Sequence, residues 1–140
     1  MGIAERWKGF QKLPPDIEEA LKRLPLLFEK EGVLLAYLFG SLSRGEEGND
    51  VDLAVLIRNG PAFRLREAII ECLGTERVDL VDLRSASPVL RFEIVRTGRP
   101  FYVADEKVQE RFELDTLHLY RDTGPLRRQQ KDYLKRRIEL

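Results

Sequence analysis

A chain of 140 residues has the size of one domain and can bury a core without disulfides or a structural metal. With 43% apolar and 34% charged residues, it reads as globular rather than disordered. Its formal net charge of zero argues against a dedicated nucleic-acid coat, which is usually strongly basic.

Residues 1–13 are polar with scattered aromatics, Trp7 and Phe10, and read as an N-terminal extension. Pro14-Pro15-Asp16 starts a helix in which Ile17, Leu21, Leu24 and Phe28 recur at helical spacing, and Gly32 ends it. Val33 to Phe39 is a strand, continuous enough to be central. Gly40-Ser41 begins a turn, Ser41 to Arg44 forms one helical turn, and Glu46 to Asn49 is a loop. Val51 to Ile57 is the second strand, broken by Asn59-Gly60-Pro61.

Phe63 to Leu73 is a helix with Phe63, Ala68/Ile69 and Cys72/Leu73 inward, stopped by Gly74. The single cysteine, Cys72, reads as a buried helix residue and leaves no partner for an intrachain disulfide. Arg77 to Leu83 is a third strand. Ser87-Pro88 opens a helix through Arg96, capped by Gly98, and Pro100 to Val103 is a short fourth strand. Asp105 N-caps a helix running towards Tyr120. Gly124-Pro125 interrupts it, and a highly charged helical piece continues to Leu140.

These elements predict a small α/β (α+β) domain: a mixed β-sheet with helices on one face and a helical C-terminal tail, residues 105–140. In that tail Val108, Phe112, Leu117, Leu119 and Tyr120 can pack on the sheet. Tyr133, Leu134 and Ile138 form a second apolar stripe, a candidate partner surface or a piece folded back on its own core. The start has no long apolar stretch behind it, and no segment reaches the roughly 20 apolar residues of a membrane span. A cytoplasmic protein is expected.

Asp50 and Asp52 carry the chemistry. They flank Val51 at the mouth of an apolar strand, and residues i and i+2 of a strand share a face. Like charges at that spacing repel, and their burial is costly unless something neutralises them. A divalent cation would do so, and magnesium favours one or two carboxylates plus the phosphates of a nucleotide. The Gly40-Ser41 turn just upstream can offer backbone N–H groups to those phosphates. On the third strand Asp79 and Asp82 point to opposite faces, so only one can join the pair. Three carboxylates on adjacent strands are what two-metal phosphoryl or nucleotidyl transfer requires. Alone, each signal is weak: Gly-Ser is a common turn and Asp50 a common strand-start residue. In this order they are specific.

Gly40-Ser41, then eight residues, Asp50-Val51-Asp52 and an apolar strand carrying Asp79 resemble the minimal nucleotidyltransferases (MNT domains) of the DNA polymerase β superfamily. The resemblance covers residues 33–104, within a nucleotidyltransferase domain placed at 14–104. It extends to Leu80-Val81-Asp82-Leu83, Pro88 to Ile94 and Gly98 to Tyr102, and the stretch Tyr120 to Leu126 is similar to the end of MntA-type antitoxins. The resemblance implies that Gly40 and Ser41 bind nucleotide phosphates. It implies that Asp50 and Asp52 ligate Mg2+, with Asp79, the first acidic position of its strand, as third carboxylate. Arg44 is a candidate phosphate contact. The eight-residue interval before Asp50 is shorter than is usual in the family.

MntA-type proteins pair with HEPN ribonuclease toxins and silence them by moving AMP from ATP onto a tyrosine. The expected function is therefore a protein adenylyltransferase acting as antitoxin, with the HEPN toxin and ATP as partners and homo- or hetero-oligomers both open. The alternative is a binding-only antitoxin on a catalytically inactive fold. Transfer to a small molecule ranks lowest, because 140 residues leave little room for a second, acceptor-holding domain. The one histidine, His118, follows Arg111 and precedes Tyr120, superficially like the ribonuclease motif of HEPN toxins, but the tail is too short for that helical bundle.

Overall fold

The computed structural model describes residues 15–40 and 50–139. The expected N-terminal extension, the helical turn at Ser41 to Arg44 and the loop at Glu46 to Asn49 lie outside the described residues. In chain order the elements are α1 (Ile17–Leu21), α2 (Leu24–Lys30), β1 (Val33–Phe39), β2 (Val51–Ile57), α3 (Ala62–Leu73), β3 (Val78–Asp82), α4 (Pro88–Thr97), β4 (Arg99–Val103), α5 (Glu106–Asp122) and α6 (Gly124–Glu139).

The four strands form one mixed sheet in the order β3-β2-β1-β4. β1 runs antiparallel to both β2 and β4, while β2 and β3, linked through α3, are parallel. Side-chain alternation divides β2 cleanly. Val51, Leu53, Val55 and Ile57 enter one core cluster, whereas Ala54 and Leu56 face another. A bulge between Val33 and Leu35 shifts the phase of β1, so that Val33, Ala36 and Leu38 share the first face and Leu35 and Tyr37 the second.

The first face is covered by α1, α2 and α3 through Ile17, Leu21, Leu24, Phe28, Leu65 and Ile69. Phe28 meets Phe101 and Tyr102 edge-on, with ring centroids 6.0 and 5.6 Å away. The second face is covered by α4 and α5 through Ile94 and Phe112. The mixed sheet agrees with expectation, but its helices lie on both faces rather than one. The reason is that β1 and β2 are apolar on both sides, so neither face can be left to water.

Three local departures have simple causes. The first helix is two, because Pro25 has no N–H to continue the ladder and sits in the first turn of a new helix. Phe63 is exposed, not inward, because the buried stripe of α3 is Leu65, Ile69 and Leu73 and Phe63 lies well round the helix from it. Cys72 is only half-buried, on the flank of that stripe. Caps behave as expected: Gly74 closes α3 in the left-handed conformation, and the Ser87 hydroxyl accepts the Leu90 N–H.

α5 belongs to the second core. Phe112 and Thr116 are buried, and the buried Tyr37 hydroxyl donates to Glu113 Oε1 at 2.7 Å. Desolvation, with Glu113 beside it, pushes the Tyr37 phenol well above its usual range. Leu117 and Leu119, expected to pack, are about as exposed as Leu90, and His118 is exposed. α6 stands clear of the cores, with Leu126, Tyr133 and Leu134 exposed. Its root is a stack: Tyr120 lies on Phe92 at 3.8 Å, and the Arg127 guanidinium covers the Tyr120 ring at 3.7 Å. Among the described residues no helix is long and apolar enough to cross a membrane.

Candidate functional site

The site is built where β1 leaves the sheet and β2 and β3 enter it. Phe39 pairs with Asp52 across the antiparallel ladder, and Asp52 pairs with Asp79 across the parallel one. Side chains at paired positions leave the same face of a sheet, so Asp52 and Asp79 are neighbours on the second face. Asp50, two residues before Asp52, opens the same row.

Gly40 follows Phe39 with φ at +73°, a backbone conformation that side chains disfavour. A Cβ built there would strike the Asp52 carboxylate, with Cγ only 3.1 Å away. The turn therefore needs glycine twice, for its dihedral angle and for the carboxylate that packs against it.

The electrostatics match this crowding. Asp52 is half-buried, and its pKa is pushed up to about 6, first by desolvation and then by the charges of Asp79 and Asp50. Asp50 has a counterion: its Oδ1 lies 2.8 Å from Nε of Arg77. Arg77 was not singled out from the sequence, although the signal exists, since Arg77 and Asp79 alternate at i and i+2 like Asp50 and Asp52. Its carbonyl accepts the Val51 N–H at 2.8 Å, which fixes the start of β3 beside Asp50.

Asp82 stands apart. It chelates Arg84 through both carboxylate oxygens, at 2.9 to 3.3 Å, and that hydrogen bonding holds its carboxyl below the usual range. The structure thus brings Asp50, Asp52, Asp79 and Gly40 together and leaves Asp82 out. Ser41 and Arg44 lie outside the described residues.

The donor set suits a hard divalent cation, with three carboxylates on one face and like charge crowding Asp52. Among the described residues, however, no group of three or more His, Cys, Asp and Glu side chains converges closely enough to hold a metal as it stands.

The family described as Polymerase beta, Nucleotidyltransferase matches residues 22–107. A curated relative, protein adenylyltransferase MntA of Shewanella oneidensis, is 37% identical over 92 residues, spanning 61% of this chain and 65% of that protein. A solved structure of a toxin–antitoxin with AMP-PNP is similar at a TM-score of 0.70 and 30% identity, covering 82% of this chain and 98% of that one. Another, a tri-AMPylated Shewanella oneidensis HEPN toxin in complex with MNT antitoxin, has a TM-score of 0.68 and 28% identity, covering 84% and 98%.

Proposed function

The chain belongs to the polymerase beta nucleotidyltransferase family, and from that premise we propose that it is a cytoplasmic, magnesium-dependent protein adenylyltransferase. It would move AMP from ATP to a tyrosine of a HEPN toxin and thereby act as the antitoxin. The observation that carries this reading is the in-register pairing of Asp52 with Asp79 beside the Gly40 turn, with Asp50 in the same row. The similarity to an adenylyltransferase and to antitoxins solved with an AMPylated toxin and with AMP-PNP supports it.

In this reading Asp50, Asp52 and Asp79 would hold Mg2+, which would supply positive charge to offset that of the triphosphate and of the leaving pyrophosphate. Gly40, with Ser41 and Arg44, receives the phosphates. The tyrosine hydroxyl attacks the α-phosphorus, forming a new O–P bond, and the bond to the pyrophosphate oxygen breaks. Asp79, the most exposed of the three carboxylates, is placed to take the tyrosine proton.

A second reading is favoured by one observation, the ion pair that engages Asp50 with Arg77. It is a binding-only antitoxin on the same fold. One experiment separates the two. The chain is incubated with magnesium, ATP radiolabelled at the α-phosphate and the product of its neighbouring gene, provided that product is a HEPN protein. Label on the HEPN protein, lost in the Asp50→Ala/Asp52→Ala variant, establishes transfer. Neutralisation of the toxin without label, unchanged in that variant, establishes masking alone.

A further inference from the structure

We propose that Arg77 is a built-in placeholder cation: a positioning residue that holds the Asp50 carboxylate while the site is metal-free and gives way when a divalent cation binds. This rests on the metal-dependent reading above and adds a competitor within the chain itself.

The geometry carries the argument. Arg77 Nε contacts Asp50 Oδ1 at 2.8 Å, and Asp50 is one of the carboxylates that would hold a cation in the metal-dependent reading. The Arg77 backbone is pinned by its hydrogen bond to Val51, so its guanidinium is delivered to Asp50 by the sheet itself. The side chain alone has to move to release Asp50. The pair is also open to solvent, with 28% of the Arg77 side chain and 44% of the Asp50 side chain accessible, so an ion can reach it.

Charge explains why a placeholder is useful. Three carboxylates crowd the mouth of β2 and β3, and the neighbouring acids and burial all disfavour charge on Asp52. Arg77 relieves Asp50. Among the described residues of this row, three carboxylates and one guanidinium leave an excess of negative charge, which a divalent cation would offset. An exposed ion pair is weak enough to be exchanged for a dication.

The proposal makes a prediction of sign. Removing a competitor strengthens cation binding, whereas removing a merely structural arginine weakens it or leaves it unchanged. Metal-free chain is titrated with Mn2+ alone at neutral pH, and the loss of the free-ion paramagnetic resonance signal is recorded for wild type, Arg77→Gln, Arg77→Lys and Asp50→Ala/Asp52→Ala. Circular dichroism of each variant checks that it is folded. Arg77→Gln is expected to bind Mn2+ about two- to fivefold more tightly than wild type, the range an exposed ion pair allows. Arg77→Lys, which keeps the charge, stays near wild type, and the double aspartate variant loses binding. Mn2+ bound equally or more weakly by a folded Arg77→Gln overturns the placeholder and leaves the metal reading standing. Absence of Mn2+ binding in every chain, Arg77→Gln included, overturns both. If Arg77→Gln does not fold, Arg77→Lys decides: it must bind no more weakly than wild type, and a loss of binding overturns the placeholder.

Discussion

Asp52 and Asp79 are direct partners across the β2–β3 ladder, so their carboxylates leave the sheet side by side. With Asp50 two residues away and Phe39 across the other ladder, Asp52 is held at a pKa of about 6 by burial and by the charges of Asp79 and Asp50. A carboxyl whose folded pKa is raised binds more protons folded than unfolded, so its contribution to stability falls as pH rises from its ordinary 3.8 through about 6. Asp52→Asn removes that charge. The variant is expected to melt above the metal-free wild type at neutral pH and to lose the advantage as the pH falls to about 3, below both pKa values. Under the proposed function, the same change is expected to lower AMP transfer by at least about a hundredfold, since several kcal/mol of charge stabilisation at the phosphate would depend on the carboxylate row. Thermal melts across pH, beside a label-transfer assay, test both halves.

Gly40→Ala separates position from charge. Its Cβ falls on the Asp52 carboxylate, and its φ of +73° is unfavourable for alanine. We expect a loss of about 1–3 kcal/mol in urea unfolding together with impaired transfer. Combined with Asp52→Ala, the cost of Gly40→Ala shrinks, because the clash partner is gone and only the dihedral penalty remains. A strictly additive double-mutant cycle would show that the two residues do not press on each other.

The strands and the helices after Gly60 were legible because their signals are local: apolar runs, Ser87 and Asp105 caps, Gly74 as a stop. Parity set Asp79 and Asp82 on opposite faces, the family resemblance chose Asp79, and register places Asp79 opposite Asp52. What the sequence hid was non-local. The cover on both faces follows from β1 and β2 being apolar on both sides, a pattern that a buried strand shares with a one-faced reading. Arg77 was hidden because an arginine before a strand is ordinary until the fold sets Asp50 against it. The residue-by-residue contrast to measure is Asp79→Asn against Asp82→Asn. The first is expected to abolish transfer. The second, whose carboxylate serves Arg84 and not the row, keeps the transfer rate within about threefold of wild type, as expected of a surface ion pair worth ~1 kcal/mol or less.

Tyr37 joins the sheet to α5. Its ring is 1% exposed and its hydroxyl donates to Glu113, which also accepts from Gln109 Nε2 at 3.3 Å. Tyr37→Phe keeps the ring packed on Phe112 and deletes only the hydroxyl. A hydrogen bond to a charged acceptor of this kind is worth about 1.5–3 kcal/mol, so chemical unfolding is expected to shift by that amount with an unchanged denaturant slope. A fall in the slope would instead indicate that α5 has detached before the rest unfolds.

Arg127 governs the last helix. Its guanidinium lies on Tyr120, which lies on Phe92 of α4, and it donates to the Tyr120 carbonyl at 2.8 Å and to Thr123 Oγ1 at 3.1 Å. From Gly124 to Arg136 no residue is buried, and this elbow is one anchor of α6. A helix of this length with so little burial is marginal in water. Arg127→Ala is therefore expected to leave the melting of the sheet domain within a few degrees of wild type, because the lost contacts are outside both cores. Amide exchange in α6 is expected to accelerate while that of β1 and β2 does not. If exchange in α6 stays as slow as in wild type, its helicity is sustained by its own charged sequence, and the Phe92–Tyr120–Arg127 stack sets only the direction in which it points.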